Sequence, residues 1–128
     1  MKKYQSENFI KSAINATNGL YLAFRTQKNF RKHIIIAFVV LFLAFVLKAE
    51  AVEIVILVAT NTFVLLAELV NSVIEFVMDA YYKNKYSRLC KFAKDMAAGA
   101  VLLSAISSAT IAAILLLPKL IDVFKYYN

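Results

Sequence analysis

Between Ala97 and Pro118 the chain runs for 22 residues without a charged side chain. An α-helix rising 1.5 Å per residue needs about 20 apolar residues to cross a bilayer core. Two further apolar runs precede it. Ile34–Leu47 is 14 residues long, with Lys48 as a snorkelling end, and Ile54–Ala67 reaches spanning length when continued to about Tyr81. The chain has 128 residues, 62% of them hydrophobic, and its mean hydropathy is +0.68. Soluble domains are roughly 45–50% apolar, and small ones bury only about two-thirds of their surface. A soluble bundle is therefore disfavoured. The expectation is an all-α membrane protein, one domain over 1–128, with transmembrane helices at about 31–48, 52–80 and 95–118 and Pro118 as the stop of the third.

Lysine and arginine set the orientation. Residues 1–32 carry seven and residues 82–94 carry five, so twelve of the fifteen lie on one side of a three-span topology. The positive-inside rule makes that side cytoplasmic, with the N-terminus in and the C-terminus out. Basic residues set beside apolar runs fit lipid headgroups rather than nucleic acid, even at a net charge of +7. Before the first span, Ile10, Ala13, Ile14, Thr17, Tyr21 and Phe24 share one helical face. The segment is too polar to span, so a surface amphipathic helix is expected at about 6–25. The N-terminal region lacks the short apolar core and small-residue site of a cleavable signal peptide. Cys90 is the single cysteine, which excludes an internal disulfide. Tyrosines at 81, 82, 86, 126 and 127 suit the two headgroup belts. On the third span Ala100, Ser104, Ser108 and Ala112 recur every four residues, as do Ala105, Ala109 and Ala113, a spacing suited to close helix packing.

Charged and amide residues interrupt the second span. Glu68, Asn71, Ser72, Glu75 and Asp79 fall within one arc about 100° wide, with apolar residues covering the rest of the helix. Glu68 and Glu75 are two turns apart, roughly 10 Å, so one metal ion cannot bridge both. The deeper Glu68 sits in the drier environment and suits a general base. The shallower Glu75 is placed to hold a hard cation such as Mg²⁺ near water. Lys94 and Asp95 stand at the mouth of the third span, and Mg²⁺ with lysine is the electrostatic kit of phosphoryl transfer.

Plainer readings exist for each residue. Glu68 can pair with a lysine to fix packing, Glu75 and Asp79 can pair with Lys91 or Lys94, and Asn71 can bond between helices. His33, the single histidine, reads as an interfacial residue. With two glycines, Gly19 and Gly99, the chain has no glycine-rich phosphate loop. A membrane scaffold or ion-conducting oligomer is the non-enzymatic alternative. It requires carboxylates along the whole span, and these cluster at one end.

The stretch "ELVNSVIEFVMD" (68–79), followed after a basic loop by "AKDMAAGAV" (93–101), resembles the small integral-membrane diacylglycerol kinases of bacteria and their undecaprenol kinase relatives. "NGLYLAFRTQKNFRKH" (18–33) is similar to that family's N-terminal region. The resemblance implies an ATP-dependent lipid kinase of the bacterial inner membrane, a homotrimer with sites shared between subunits, acting with Mg²⁺ at the cytoplasmic face. It implies Glu68 as the base that takes the lipid hydroxyl's proton, Asn71 beside it, and Glu75 as metal ligand at the ATP phosphates. Lys94, Asp95 and Asp79 then contact nucleotide, and Glu68 and Gly99 the lipid substrate. Two positions depart from the pattern. Gln27 stands where a second metal-binding glutamate is common, and its amide oxygen can ligate without the charge. Asn15 stands where some members carry a tyrosine near the nucleotide. "AAGAV" favours undecaprenol as substrate, with diacylglycerol as the alternative.

Overall fold

The computed structural model describes residues 9–83 and 85–127, with no side-chain description for Tyr127. Four helices follow in order: α1 (Phe9–Thr26), α2 (Lys28–Val46), α3 (Ala51–Tyr82) and α4 (Arg88–Tyr127). No strand occurs among the described residues. The last three helices are long and apolar enough to cross a membrane. The expected surface helix starts no later than Phe9, and residues 6–8 lie outside the described residues.

Only Gln27 separates α1 from α2, in an extended conformation at φ −96° and ψ 108°. Helix α2 ends at Val46, short of the expected Lys48, which sits in a turn with φ 53°. Helix α3 then starts on a capping box. The Glu50 side chain accepts the N–H of Glu53, and the Glu53 carboxylate accepts the Glu50 N–H at 2.6 Å. Two orphan amides of the first turn are thereby satisfied. Helix α3 closes at Lys83, whose left-handed backbone turns the chain while its N–H bonds the Asp79 carbonyl. Its 32 residues span about 48 Å against a hydrocarbon core of about 30 Å. It is therefore longer than the lipid core requires, and part of it must extend beyond or tilt within the core.

Helix α3 is the centre of the bundle, packing along α4 and, less extensively, along α2. Leu57 and Ala44 are fully buried and meet Leu116 in a small core flanked by Val40, Leu41 and Leu115. Most other large apolar side chains face outward, as lipid-facing residues do: Phe38 is 72% exposed and Phe45 77%. From α4, Ala97, Ser104 and Leu116 are buried, with Ser108 and Ala112 half-buried. The two expected small-residue stripes do not each face one neighbour, since Ala100, Ala109 and Ala113 are exposed. A spacing of four on a helix of 3.6 residues per turn advances about 40° each step, so the stripe winds off the contact.

The structure corrects the expected stop at Pro118. Helix α4 runs through the proline for nine more residues to Tyr127. Proline removes one intrahelical hydrogen bond, a loss that spanning helices tolerate where neighbours compensate. Here the next residue, Lys119, forms an ion pair with Glu53 at 3.0 Å, which ties the segment beyond the proline to the start of α3.

Candidate active site where the long helices meet

The C-terminal half of α3 and the N-terminal turns of α4 run antiparallel and bring most of the acidic seam to one place. Glu68, Asn71 and Ser72 are buried, at 3%, 6% and 4% exposure. Glu75 and Asp79, nearer the helix end, are half-buried. The Ser72 hydroxyl donates to the main-chain carbonyl of Glu68 at 2.9 Å, which leaves the Glu68 carboxylate uninvolved. No lysine or arginine forms an ion pair with Glu68 among the described residues, so the reading of Glu68 as a packing pair is not supported. A carboxylate held in a span without a cation is costly, and such groups mark function by default.

Asn71 links this deep residue to the shallower ones. Its Nδ2 donates to Glu75 Oε1 at 3.2 Å, while its Oδ1 is buried and has no hydrogen-bond partner. A buried carbonyl oxygen left unsatisfied costs about 1–3 kcal/mol. The cost falls away when a ligand donates to it or coordinates there. The Glu75 carboxylate and the Asn71 amide oxygen make an all-oxygen donor set, the chemistry of a hard cation. No three Asp, Glu, His or Cys side chains converge among the described residues. Mg²⁺ does not need them, because it is held through one or two carboxylates with waters and phosphate oxygens completing its shell. The residues present therefore fit Mg²⁺.

Asp79 and Lys94 form an ion pair between the two helices, Nζ to Oδ1. Asp95, expected beside Lys94 at the nucleotide, is turned along the exposed face of α4 and pairs with Lys91 at 2.7 Å. A space of 340 Å³ opens against the Asp79–Lys94 pair, lined by Lys85, Tyr86, Ser87, Cys90 and Lys91. Sequence reasoning did not name Lys85, Tyr86 or Ser87 as site residues. Their signal was position, in the basic loop directly before Ala93-Lys94-Asp95. On another side of α3, a groove of 720 Å³ runs between α3 and α4, its walls including Phe63, Val70, Met78 and Met96, with Asn71 as the polar residue.

Among the described residues, no hydrogen bond or ion pair links the expected site residues Gly99 and Gln27 to this cluster. Gly99 is an exposed helical residue, and a Cβ added there would meet nothing within 4 Å. Asn15 is exposed on α1 and Gln27 half-buried in the α1–α2 elbow.

Three spanning-length helices, with a buried carboxylate, a carboxylate–amide couple and an acid–lysine pair where two of them meet, mark a polytopic membrane protein with a polar cluster inside its bundle. The chain belongs to the prokaryotic diacylglycerol kinase family, whose model matches residues 14–116. It is 40% identical over 115 residues to a diacylglycerol kinase of Synechocystis, covering 90% of this chain and 66% of that one. It is 38% identical over 114 residues to an undecaprenol kinase of Bacillus subtilis, covering 88% of this chain and 90% of that relative. The chain thus spans just under two-thirds of the Synechocystis protein and most of the Bacillus one. The family is one of lipid kinases, which implies ATP as phosphoryl donor.

Proposed function

We propose that the protein transfers the γ-phosphoryl group of ATP to the terminal hydroxyl of a membrane lipid alcohol. Undecaprenol is the favoured acceptor, supported by "AAGAV" at residues 97–101 and by the Bacillus relative's match along most of both chains. Diacylglycerol, giving phosphatidic acid, is the second reading, and the name of the Synechocystis relative favours it. The observation that carries the proposal is Glu68, a carboxylate 3% exposed in a span and without a cationic partner among the described residues.

Glu68 accepts the proton of the lipid O–H as that oxygen bonds to the γ-phosphorus. The bond from the γ-phosphorus to the bridging oxygen breaks, and ADP leaves with the electron pair. Burial of Glu68 keeps water, the competing acceptor, from the base. Glu75, oriented by Asn71, is the ligand for Mg²⁺, with Gln27 as a neutral further donor. Mg²⁺ when bound neutralises phosphate charge. Lys94 supplies a second positive charge, and Asp79 holds it in place. Asp95 and Asn15 line the nucleotide's approach, and Gly99 leaves room for the lipid headgroup.

The functional unit is a homotrimer whose sites are shared between subunits, in the inner membrane of a bacterium. The N-terminus and the site face the cytoplasm, in keeping with the twelve-of-fifteen bias in basic residues. Helix α1 lies at the membrane surface on the face that carries Ile10, Ile14 and Tyr21.

The test is transfer of label from Mg²⁺-ATP by protein in lipid nanodiscs, with undecaprenol and diacylglycerol offered separately. Higher kcat/KM for undecaprenol supports the first reading, and higher kcat/KM for diacylglycerol replaces it with the second. Transfer to neither, by protein that remains folded, refutes the proposal.

A further inference from the structure

The elbow between α1 and α2 holds a contact that the proposed chemistry does not use. An α-helix leaves its last four carbonyls without intrahelical partners, and they carry the negative end of its dipole. At the end of α1 three of these are accounted for. The Ala23 carbonyl accepts the Gln27 N–H at 2.8 Å. The Phe24 and Arg25 carbonyls both accept from one nitrogen, Nη1 of Arg31, each at 2.9 Å. Arg31 lies in the first turns of α2, so one guanidinium caps the helix before its own. Its backbone N–H also reaches the Gln27 carbonyl at 3.3 Å. Gln27 is thereby held at both its amide and its carbonyl, and its side chain makes no capping bond to α2.

We propose that Arg31 is a positioning residue. By clamping the end of α1 to the start of α2, it fixes the angle of the elbow and with it the placement of Gln27 and Asn15 toward the metal-bound nucleotide. This role rests on the kinase reading above. The geometry asks for arginine in particular. A guanidinium is a rigid fork of donors with permanent charge, whereas the lysine ammonium is a flexible point charge. Charge-assisted bonds to orphaned carbonyls are about twice as strong as neutral ones.

The test compares Arg31→Met and Arg31→Lys with Lys32→Met, which removes one positive charge from the adjacent exposed position. Three quantities are read in nanodiscs. These are amide exchange of peptides covering residues 18–27, binding of a non-hydrolysable Mg²⁺-ATP analogue, and the split between KM for Mg²⁺-ATP and kcat. Arg31→Met is expected to speed exchange and to raise the analogue Kd and the KM by about tenfold each, with kcat within about threefold, on the scale of one charge-assisted bond. Arg31→Lys should fall between, and Lys32→Met should match the wild type. Faster exchange with unchanged Kd and KM overturns the positioning role. Equal effects from Lys32→Met overturn it as well, since they would mark general attraction to anionic lipid. Wild-type protein that binds no nucleotide overturns the kinase reading and the positioning role with it. The exchange data then still decide whether the clamp exists.

Discussion

Replacing Glu68 by glutamine removes a base while leaving every observed contact in place. The Ser72 hydroxyl bonds the Glu68 main-chain carbonyl, and the carboxylate makes no ion pair among the described residues. Glutamine has the same size and fills the same buried position, so folding should be unchanged or improved. An amide costs less than an unpartnered charge inside a span. Catalysis should behave oppositely. A positioned general base contributes typically 10²–10⁴-fold, which corresponds to about 3–5.5 kcal/mol of barrier. The expected result for Glu68→Gln is a kcat lower by that factor, with KM for Mg²⁺-ATP within about threefold of wild type. Glu68→Asp keeps the carboxylate but withdraws it by one methylene, and should retain intermediate turnover. The assay is labelled phosphate transfer in nanodiscs, paired with detergent-titrated unfolding on the same preparations. Turnover of Glu68→Gln within threefold of wild type would refute the base assignment. Loss of activity in step with loss of folded protein would show instead that the residue is structural.

Asn71→Leu removes the side chain that orients Glu75, and second-sphere groups of this kind are worth 10- to 100-fold; the half-saturating Mg²⁺ concentration should rise by about that factor. Gln27→Glu should lower the same concentration, since it restores a charge to an oxygen ligand, and an unchanged Mg²⁺ titration would remove Gln27 from the metal site. Lys94→Met breaks the inter-helix pair with Asp79 and should raise KM for Mg²⁺-ATP by about tenfold, as steady-state kinetics at fixed lipid will read. Pro118→Ala restores the N–H that proline lacks to a helix continuing on both sides. It should stabilise the protein by about 1–3 kcal/mol in detergent-titrated unfolding, with turnover unchanged.

The acidic seam was legible because helical periodicity alone aligns residues 68, 71, 75 and 79, and no tertiary knowledge is needed to place them on one face. Their partners were less so. Lys94 and Lys91 are three residues apart on the same helix, and which of them meets Asp79 is decided by the register of α4 on α3, which the short connection at 83–87 sets. Pro118 misled for a different reason. The penalty for proline is local and visible in sequence, whereas its compensation, Lys119 reaching Glu53, comes from a residue 66 positions away. The Arg31 clamp was invisible because it depends on Gln27 being extended. In a continuous helix the Arg31 side chain would lie beside residues 27 and 28, not over the carbonyls of Phe24 and Arg25.

The balance of charge at the site bears on the order in which ligands bind. Glu68, Glu75, Asp79 and Asp95 are four carboxylates, and Lys85, Lys91 and Lys94 supply three ammonium groups, a net of one negative charge. Lys91 and Lys94 are engaged with carboxylates, and Lys85 forms no ion pair among the described residues. A bare polyphosphate arriving here meets Lys85 but also the repulsion of the carboxylates. Mg²⁺ arriving with nucleotide would shift that balance, since Glu75 would hold it and it would neutralise phosphate charge. On the proposed function, Lys94 would then share its charge between Asp79 and a phosphate oxygen. That reading expects Mg²⁺ and ATP to bind as one complex, beside the exposed Lys91–Asp95 pair. Glu68, Glu75 and Asp79 cluster toward one end of α3, and Glu53 at the other end is paired with Lys119. This argues against an ion path, because between Glu53 and Glu68 the helix offers only Asn61 as a buried polar side chain.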